Sequence, residues 1–142
     1  MDPTQIAKVK SSFELVKPLA EEAAALFYGR LFEIAPEVKP LFRGDMTEQG
    51  RKLMATLAVV VNGLDNLETI LPAAGALAKR HVAYGVKPGD YAAVGEALLW
   101  TLERGIGPDW TPQTAQAWAA AYGLLADFMI GEAYGDGAPG AA

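Results

Sequence analysis

The chain contains no cysteine and a single histidine. Without thiols there is no disulfide, no thiolate zinc site, no iron–sulfur cluster and no thioether-attached haem. One imidazole excludes any catalytic or metal site that draws two histidines from the same chain. Cations are the minority charge: twelve Lys and Arg stand against seventeen Asp and Glu, for a formal net charge of −5, which argues against a nucleic-acid surface. Long apolar runs are missing as well. Stretches such as residues 57–61 are far too short to cross a bilayer, and the opening MDPTQIAKVKSS has an acid at position 2 and no apolar core of signal-peptide length. The expectation is a cytoplasmic protein with neither membrane nor nucleic acid as partner. Phosphate-cradling glycine loops and a serine nucleophile elbow are also absent.

What is present is apolar and helical. The 142 residues, 51% of them hydrophobic, suit one domain with a sizeable core. Asp2-Pro3-Thr4-Gln5 reads as a capping box with proline at the first helical position, followed by Ile6, Val9, Phe13 and Val16 on one face. A second helix is predicted over 18–34, with Ala23, Leu26, Phe27, Leu31 and Ile34 inward. A short turn lies between Pro36 and Pro40. Asp45 with Glu48 predicts another capping box, opening a helix over 46–63 whose stripe is Leu53, Leu57, Val60 and Leu64. Residues 72–84 put Leu77, His81 and Tyr84 on one face, with Gly85 as C-terminal cap. Helices over 89–105 and 112–134 follow, the second capped by Thr111 and lined by Trp118, Tyr122, Leu125 and Met129. With no period-2 segment and no internal repeat, the fold class is all-α, of six to eight helices, with a domain over 1–134 and a flexible tail over 135–142.

Three groups of residues could carry chemistry. His81 falls on the inner stripe of its helix; it is either a core histidine satisfied by a carbonyl or a metal ligand. Zinc and non-haem iron need three or four protein ligands, whereas a porphyrin supplies four nitrogens itself, so haem is the cofactor for which one imidazole suffices. Tyr28 and Gln49 are either a core aromatic and a solvated first-turn residue, or two donors aimed into one cavity. Tyr91, just past the Pro88-Gly89 corner, and Glu132, late on the last helix, could meet His81; a frayed, solvated helix end is the plainer reading of Glu132.

Taken in order along the chain, several pieces resemble bacterial globins: residues 24–32 with Tyr28, Pro36 before Leu41-Phe42, the Gln49-Gly50-Arg51-Lys52-Leu53-Met54 opening, Arg80-His81-Val82-Ala83-Tyr84-Gly85-Val86, Tyr91-Ala92-Ala93-Val94-Gly95-Glu96-Ala97-Leu98, and Ala117-Trp118 with Tyr122-Gly123. The resemblance spans about residues 4–132 and is specifically to single-domain globins related to the globin domain of flavohaemoglobins. It implies a globin fold around a haem b pocket, with His81 as iron ligand and Phe42 against the porphyrin. It implies Tyr28 and Gln49 as the pair facing bound gas, and Tyr91 and Glu132 as the groups orienting the ligand imidazole. Leu53, Leu57, Leu77, Val86, Val94 and Leu98 would be apolar walls, and Lys52 a propionate partner. The implied function is reversible binding of O2, with NO and CO as other ligands, or oxidation of NO by O2 to nitrate. Phe13 stands where many relatives carry tryptophan. Only ten residues follow Glu132, so the electrons for turnover are expected from a separate reductase, and the protein from a monomer or homodimer.

Overall fold

The computed structural model describes residues 1–42 and 44–134. Six α-helices carry the chain: α1 (Pro3–Val16), α2 (Ala20–Ile34), α3 (Met46–Asn62), α4 (Leu71–Tyr84), α5 (Asp90–Ile106) and α6 (Pro112–Tyr134). Single 3₁₀ turns stand at Lys17–Leu19, Pro36–Leu41, Leu67–Thr69 and Gly107–Asp109, and no strand occurs among the described residues. The architecture is all-α, as the pattern predicts. Arg43 and the expected tail over 135–142 lie outside the described residues. No helix among those described is long and apolar enough to cross a membrane.

Local chemistry sets the helix ends. The Asp2 carboxylate accepts from the Gln5 N–H at 2.8 Å while the Gln5 side chain accepts from the Asp2 N–H, so the box at α1 closes. At α3 only half of the expected box forms: Asp45 accepts from the Thr47 N–H, and Glu48 stays exposed without reaching back. Gly85 ends α4 at φ +97°, a conformation that a Cβ would strain, and its N–H bonds the carbonyls of His81 and Val82. The Thr111 hydroxyl accepts from the Thr114 N–H at the start of α6.

Packing then follows pairs: α2 on α5, α1 on α6, α4 on α6, and α3 on α2. The main core joins Val9, Phe13, Val16, Phe27, Leu31, Leu98, Leu102 and Trp118. A second, smaller cluster joins Ala74, Ala78, Tyr91, Ala126 and Met129. Although consecutive in the chain, α3 and α4 are not a packed pair, for α3 belongs to the first cluster and α4 to the second. The expected site residues are divided between them, with Gln49, Lys52, Leu53 and Leu57 on α3 and Leu77 and His81 on α4.

Two inward expectations fail. Leu26 is 40% exposed and Tyr84 60% exposed. On α2 the stripe of Ala23, Phe27 and Leu31 takes the contact with the core, leaving Leu26 on its flank. On α4 the contact with α6 is made by the small residues Ala74, Gly75 and Ala78, and Tyr84 lies roughly 100° around the helix from them.

Candidate functional site

The first group of expected site residues is built where α3 crosses α2. A Cβ added at Gly50 would come 2.8 Å from the Ala24 Cβ, so this approach of the two backbones requires glycine. The neighbouring Gln49 is thereby brought to Tyr28. Burial holds the Tyr28 phenol above its ordinary pKa, opposed by the Gln49 side chain at the hydroxyl. The ring is fixed by aromatic edges, with Phe27 at 4.9 Å and 77° and Phe42 at 5.3 Å and 68° between centroids and planes. Phe42 stands in turn against Phe32. A cavity of about 420 Å³ lined by Tyr28, Phe32, Met46, Gly50 and Met54 adjoins the pair. Further along α3, Leu53 and Leu57 are half-buried and Lys52 is exposed.

The second group belongs to α4 and the α4–α5 corner. His81 is half-buried, and its Nδ1 is fully enclosed without a hydrogen-bond partner. Burial lowers the imidazole pKa; the Leu77 carbonyl one turn back opposes this without reaching bonding geometry, and the Arg80 guanidinium adds to the lowering. The ring is therefore held neutral at physiological pH. Tyr91 packs alongside, its ring centroid 6.3 Å away and tilted by 30°, with its own hydroxyl buried and unpartnered.

Glu132 is placed differently from the expected network. It lies over Gly75, its carboxylate oxygen 3.9 Å from the position a Cβ would take, and it bonds to neither His81 nor Tyr91. Two phenols of α6 hold the corner instead. Tyr122 donates to the Tyr91 carbonyl at 2.6 Å, and Tyr134 donates to the carbonyl of Val86, whose N–H bonds the His81 carbonyl. Gly95 makes room for the first of these, since a Cβ there would strike the Tyr122 ring at 2.7 Å. Tyr134 was not legible as a site residue, and Tyr122 read only as core; each acts through a carbonyl that any residue could have offered.

The remaining expected walls fall on α4, α5 and the corner between them. Leu77, Val86 and Val94 are half-buried, and Leu98 is buried. Leu53, Leu57, Leu77, Val86 and Val94 are thus only partly covered by protein, and one enclosed imidazole nitrogen has no partner. Among the described residues no group of three or more His, Cys, Asp or Glu could hold a bare metal ion. A lone imidazole between apolar walls suits an iron that brings its equatorial ligands with it, as haem does.

Comparison with known proteins agrees with this geometry. The globin family model matches residues 25–129. The chain is 34% identical over 134 residues to a flavohaemoprotein of Bordetella parapertussis, covering 92% of this chain and 33% of that protein. It is 36% identical over 126 residues to a flavohaemoprotein of Rhodopirellula baltica, covering 87% and 31%. It therefore spans about a third of the length of these curated relatives. Among solved structures, a bacterial globin of Campylobacter jejuni superimposes with TM-score 0.81 at 29% identity, covering 93% of this chain and 96% of that one. An engineered carbene transferase, made from a nitric oxide dioxygenase candidate of Rhodothermus marinus, superimposes with TM-score 0.85 at 26% identity, covering 94% and 93%.

Proposed function

The chain belongs to the globin family, which carries haem, and from that premise we propose that it holds haem b between α3 and α4 and reversibly binds O2 there. NO and CO are further ligands of the same site. The observation that carries this reading is a single, neutral imidazole on α4 whose enclosed nitrogen has no partner, in a chain whose α2–α3 crossing brings the Tyr28 hydroxyl and the Gln49 amide together.

When bound, the haem iron supplies the position at which a diatomic gas is taken up. His81 would ligate it, because burial keeps the imidazole lone pair free of a proton. Phe42 would stand against the porphyrin, and Leu53, Leu57, Leu77, Val86, Val94 and Leu98 keep water from its faces. Lys52, exposed on α3, would meet a propionate. Tyr91 would orient the imidazole, with Glu132 able to join from above Gly75 through a side-chain rotation. On the gas side, burial keeps the Tyr28 proton in place, so its hydroxyl remains a donor at neutral pH and above. Tyr28 and Gln49 each contribute about 0.5–1.5 kcal/mol of hydrogen bonding to a ligand that gathers negative charge, more where water is excluded.

The decisive experiment is stopped-flow O2 release. Tyr28→Phe and Gln49→Leu each accelerate release by about two- to thirteen-fold, and unchanged rates in both refute the assignment. His81→Ala abolishes the Soret band of protein made under haem-replete conditions. A second reading, oxidation of NO by O2 to nitrate with a separate flavin-carrying reductase, is favoured by the identity to flavohaemoproteins. Sustained NO consumption over many cycles with such a reductase supports it; a single stoichiometric burst leaves the carrier.

A further inference from the structure

The last turns of α4 are unlike the rest of the chain. From Lys79 to Lys87 every residue is exposed except His81 and Val86, which are half-buried. Two apolar side chains lie open in this short stretch, Val82 at 41% and Tyr84 at 60%. Lys79, Arg80 and Lys87 are the charged residues of the same exposed stretch, and no carboxylate occurs in the sequence between Glu68 and Asp90, in a chain whose net charge is −5. Lys79, Arg80 and Lys87 form no ion pair among the described residues. The carboxylates on the neighbouring elements are engaged elsewhere or set back. Asp90 is half-buried and accepts from the Lys87 N–H, and Glu132 lies over Gly75, nearer the start of the helix.

Beneath this surface is the candidate iron ligand. The Tyr84 ring is 6.4 Å from the His81 ring, and Arg80 is close enough to act on the imidazole electrostatically. An exposed aromatic and an aliphatic group rimmed by cations is the layout of a protein-docking surface, in which the apolar centre gives affinity and the charged rim steers the encounter.

We propose that the end of α4, centred on Tyr84 and Val82 and rimmed by Lys79, Arg80 and Lys87, is the docking surface for an acidic flavoprotein that supplies electrons to the site. The inference rests on the functional reading above, since only a haem protein that must be kept reduced needs such a partner. Charge complementarity selects the occupant. A donor with a carboxylate-rich face is attracted to this one part of an otherwise acidic molecule and repelled by the remainder. In the encounter the reduced flavin loses one electron and the site gains one, and no atom is exchanged.

The test is a titration of ¹⁵N-labelled, haem-loaded protein with an acidic bacterial flavodoxin in its oxidised form, followed by chemical-shift changes. The changes are expected to concentrate at residues 79–88, and binding should weaken about tenfold or more between low salt and 0.3 M salt. Lys79→Glu with Lys87→Glu should weaken it about as much at low salt, while the Soret band and the O2 release rate stay at their original values. Tyr84→Ser, at an exposed position, should weaken binding and leave the salt dependence in place. Shifts mapping to another face, binding indifferent to charge reversal, or no binding at low salt each overturn the proposal. None of these outcomes touches the release kinetics of Tyr28→Phe, so failure of the docking surface and failure of the gas-binding reading are told apart.

Discussion

Substituting Gly50 by alanine tests the whole gas-side geometry at one atom. The added Cβ would lie 2.8 Å from the Ala24 Cβ, and ordinary contact begins near 3.4 Å, so the two helices must part by about 0.6 Å. Neither partner can rotate away, because both are the first carbon of a side chain on a helix. Overpacking of this kind costs about 1–3 kcal/mol, while alanine in place of glycine within a helix returns about 1 kcal/mol. The clash prevails, and Gly50→Ala loses about 1 kcal/mol net by urea denaturation of the haem-free protein. Ala24→Gly alone loses about 1 kcal/mol through helix propensity. In the double variant the methyl group has moved from one helix to the other and the clash is gone, so stability returns to within about 0.5 kcal/mol of the original. Additivity would give a loss of about 2 kcal/mol, and the difference is the coupling to be measured. The same displacement carries Gln49 away from Tyr28, so O2 release from loaded Gly50→Ala quickens and the double variant restores it. Two outcomes would refute the reasoning: Gly50→Ala as stable as the original protein, or a double variant whose loss is the sum of the singles.

Two further perturbations read other parts of the structure. The Trp118 indole N–H donates to the buried Ser12 hydroxyl at 2.8 Å, and that hydroxyl donates onward within α1. Ser12→Ala leaves the indole donor enclosed without an acceptor and lowers unfolding free energy by about 1–3 kcal/mol, whereas adding Trp118→Phe to it brings little further hydrogen-bonding loss. Tyr28, Tyr91, Tyr122 and Tyr134 all have phenol pKa values raised, by burial first and then, except in Tyr28, by a neighbouring acidic group, Tyr134 for Tyr91, Tyr91 for Tyr122 and Asp90 for Tyr134. The folded protein thus holds phenol protons that the unfolded chain releases near pH 10. The stability this confers is complete below about pH 10 and is lost as the pH climbs through the raised values. Absorbance at 295 nm should show most of the tyrosine ionising together with unfolding, and full ionisation near pH 10 in the folded state would contradict the burial of these rings.

Features encoded within a few residues were legible in the sequence. The Asp2 box, the Gly85 cap and the Thr111 cap each involve partners no more than four positions apart, and the chemistry of those partners fixes the local geometry. The partner of a helix face is not local, and that is where expectation and structure part. Leu26 and Tyr84 belong to apolar stripes that the periodic pattern draws inward, but Ala23, Phe27 and Leu31 on α2 and small residues on α4 took the contacts and left both exposed. Gly50 and Gly95 look in sequence like weak points in two helices; in space each is the contact that lets a neighbouring side chain reach its place. The bond between Ser12 and Trp118, 106 residues apart, has no trace in either segment.

The site was legible to a different degree on its two sides, and the reason is physical. Tyr28 and Gln49 meet because α2 and α3 cross, and His81 meets Tyr91 across the short corner that joins α4 to α5. Glu132 depends on the rotamer of a long side chain near a helix end, which neither spacing nor packing fixes. The most informative disagreement lies in the apolar stripes themselves. Leu53, Leu57 and Leu77 have the spacing of core residues, yet the polypeptide covers each only in part, while Val9, Phe13 and Val16 on α1 and Ala23, Phe27 and Leu31 on α2 are buried. Periodicity says that a residue is destined for an apolar partner, and burial says whether the chain itself is that partner. Where the first is satisfied and the second is not, in a chain that also leaves one enclosed imidazole nitrogen unpaired, a bound haem would supply both the apolar partner and the iron for His81.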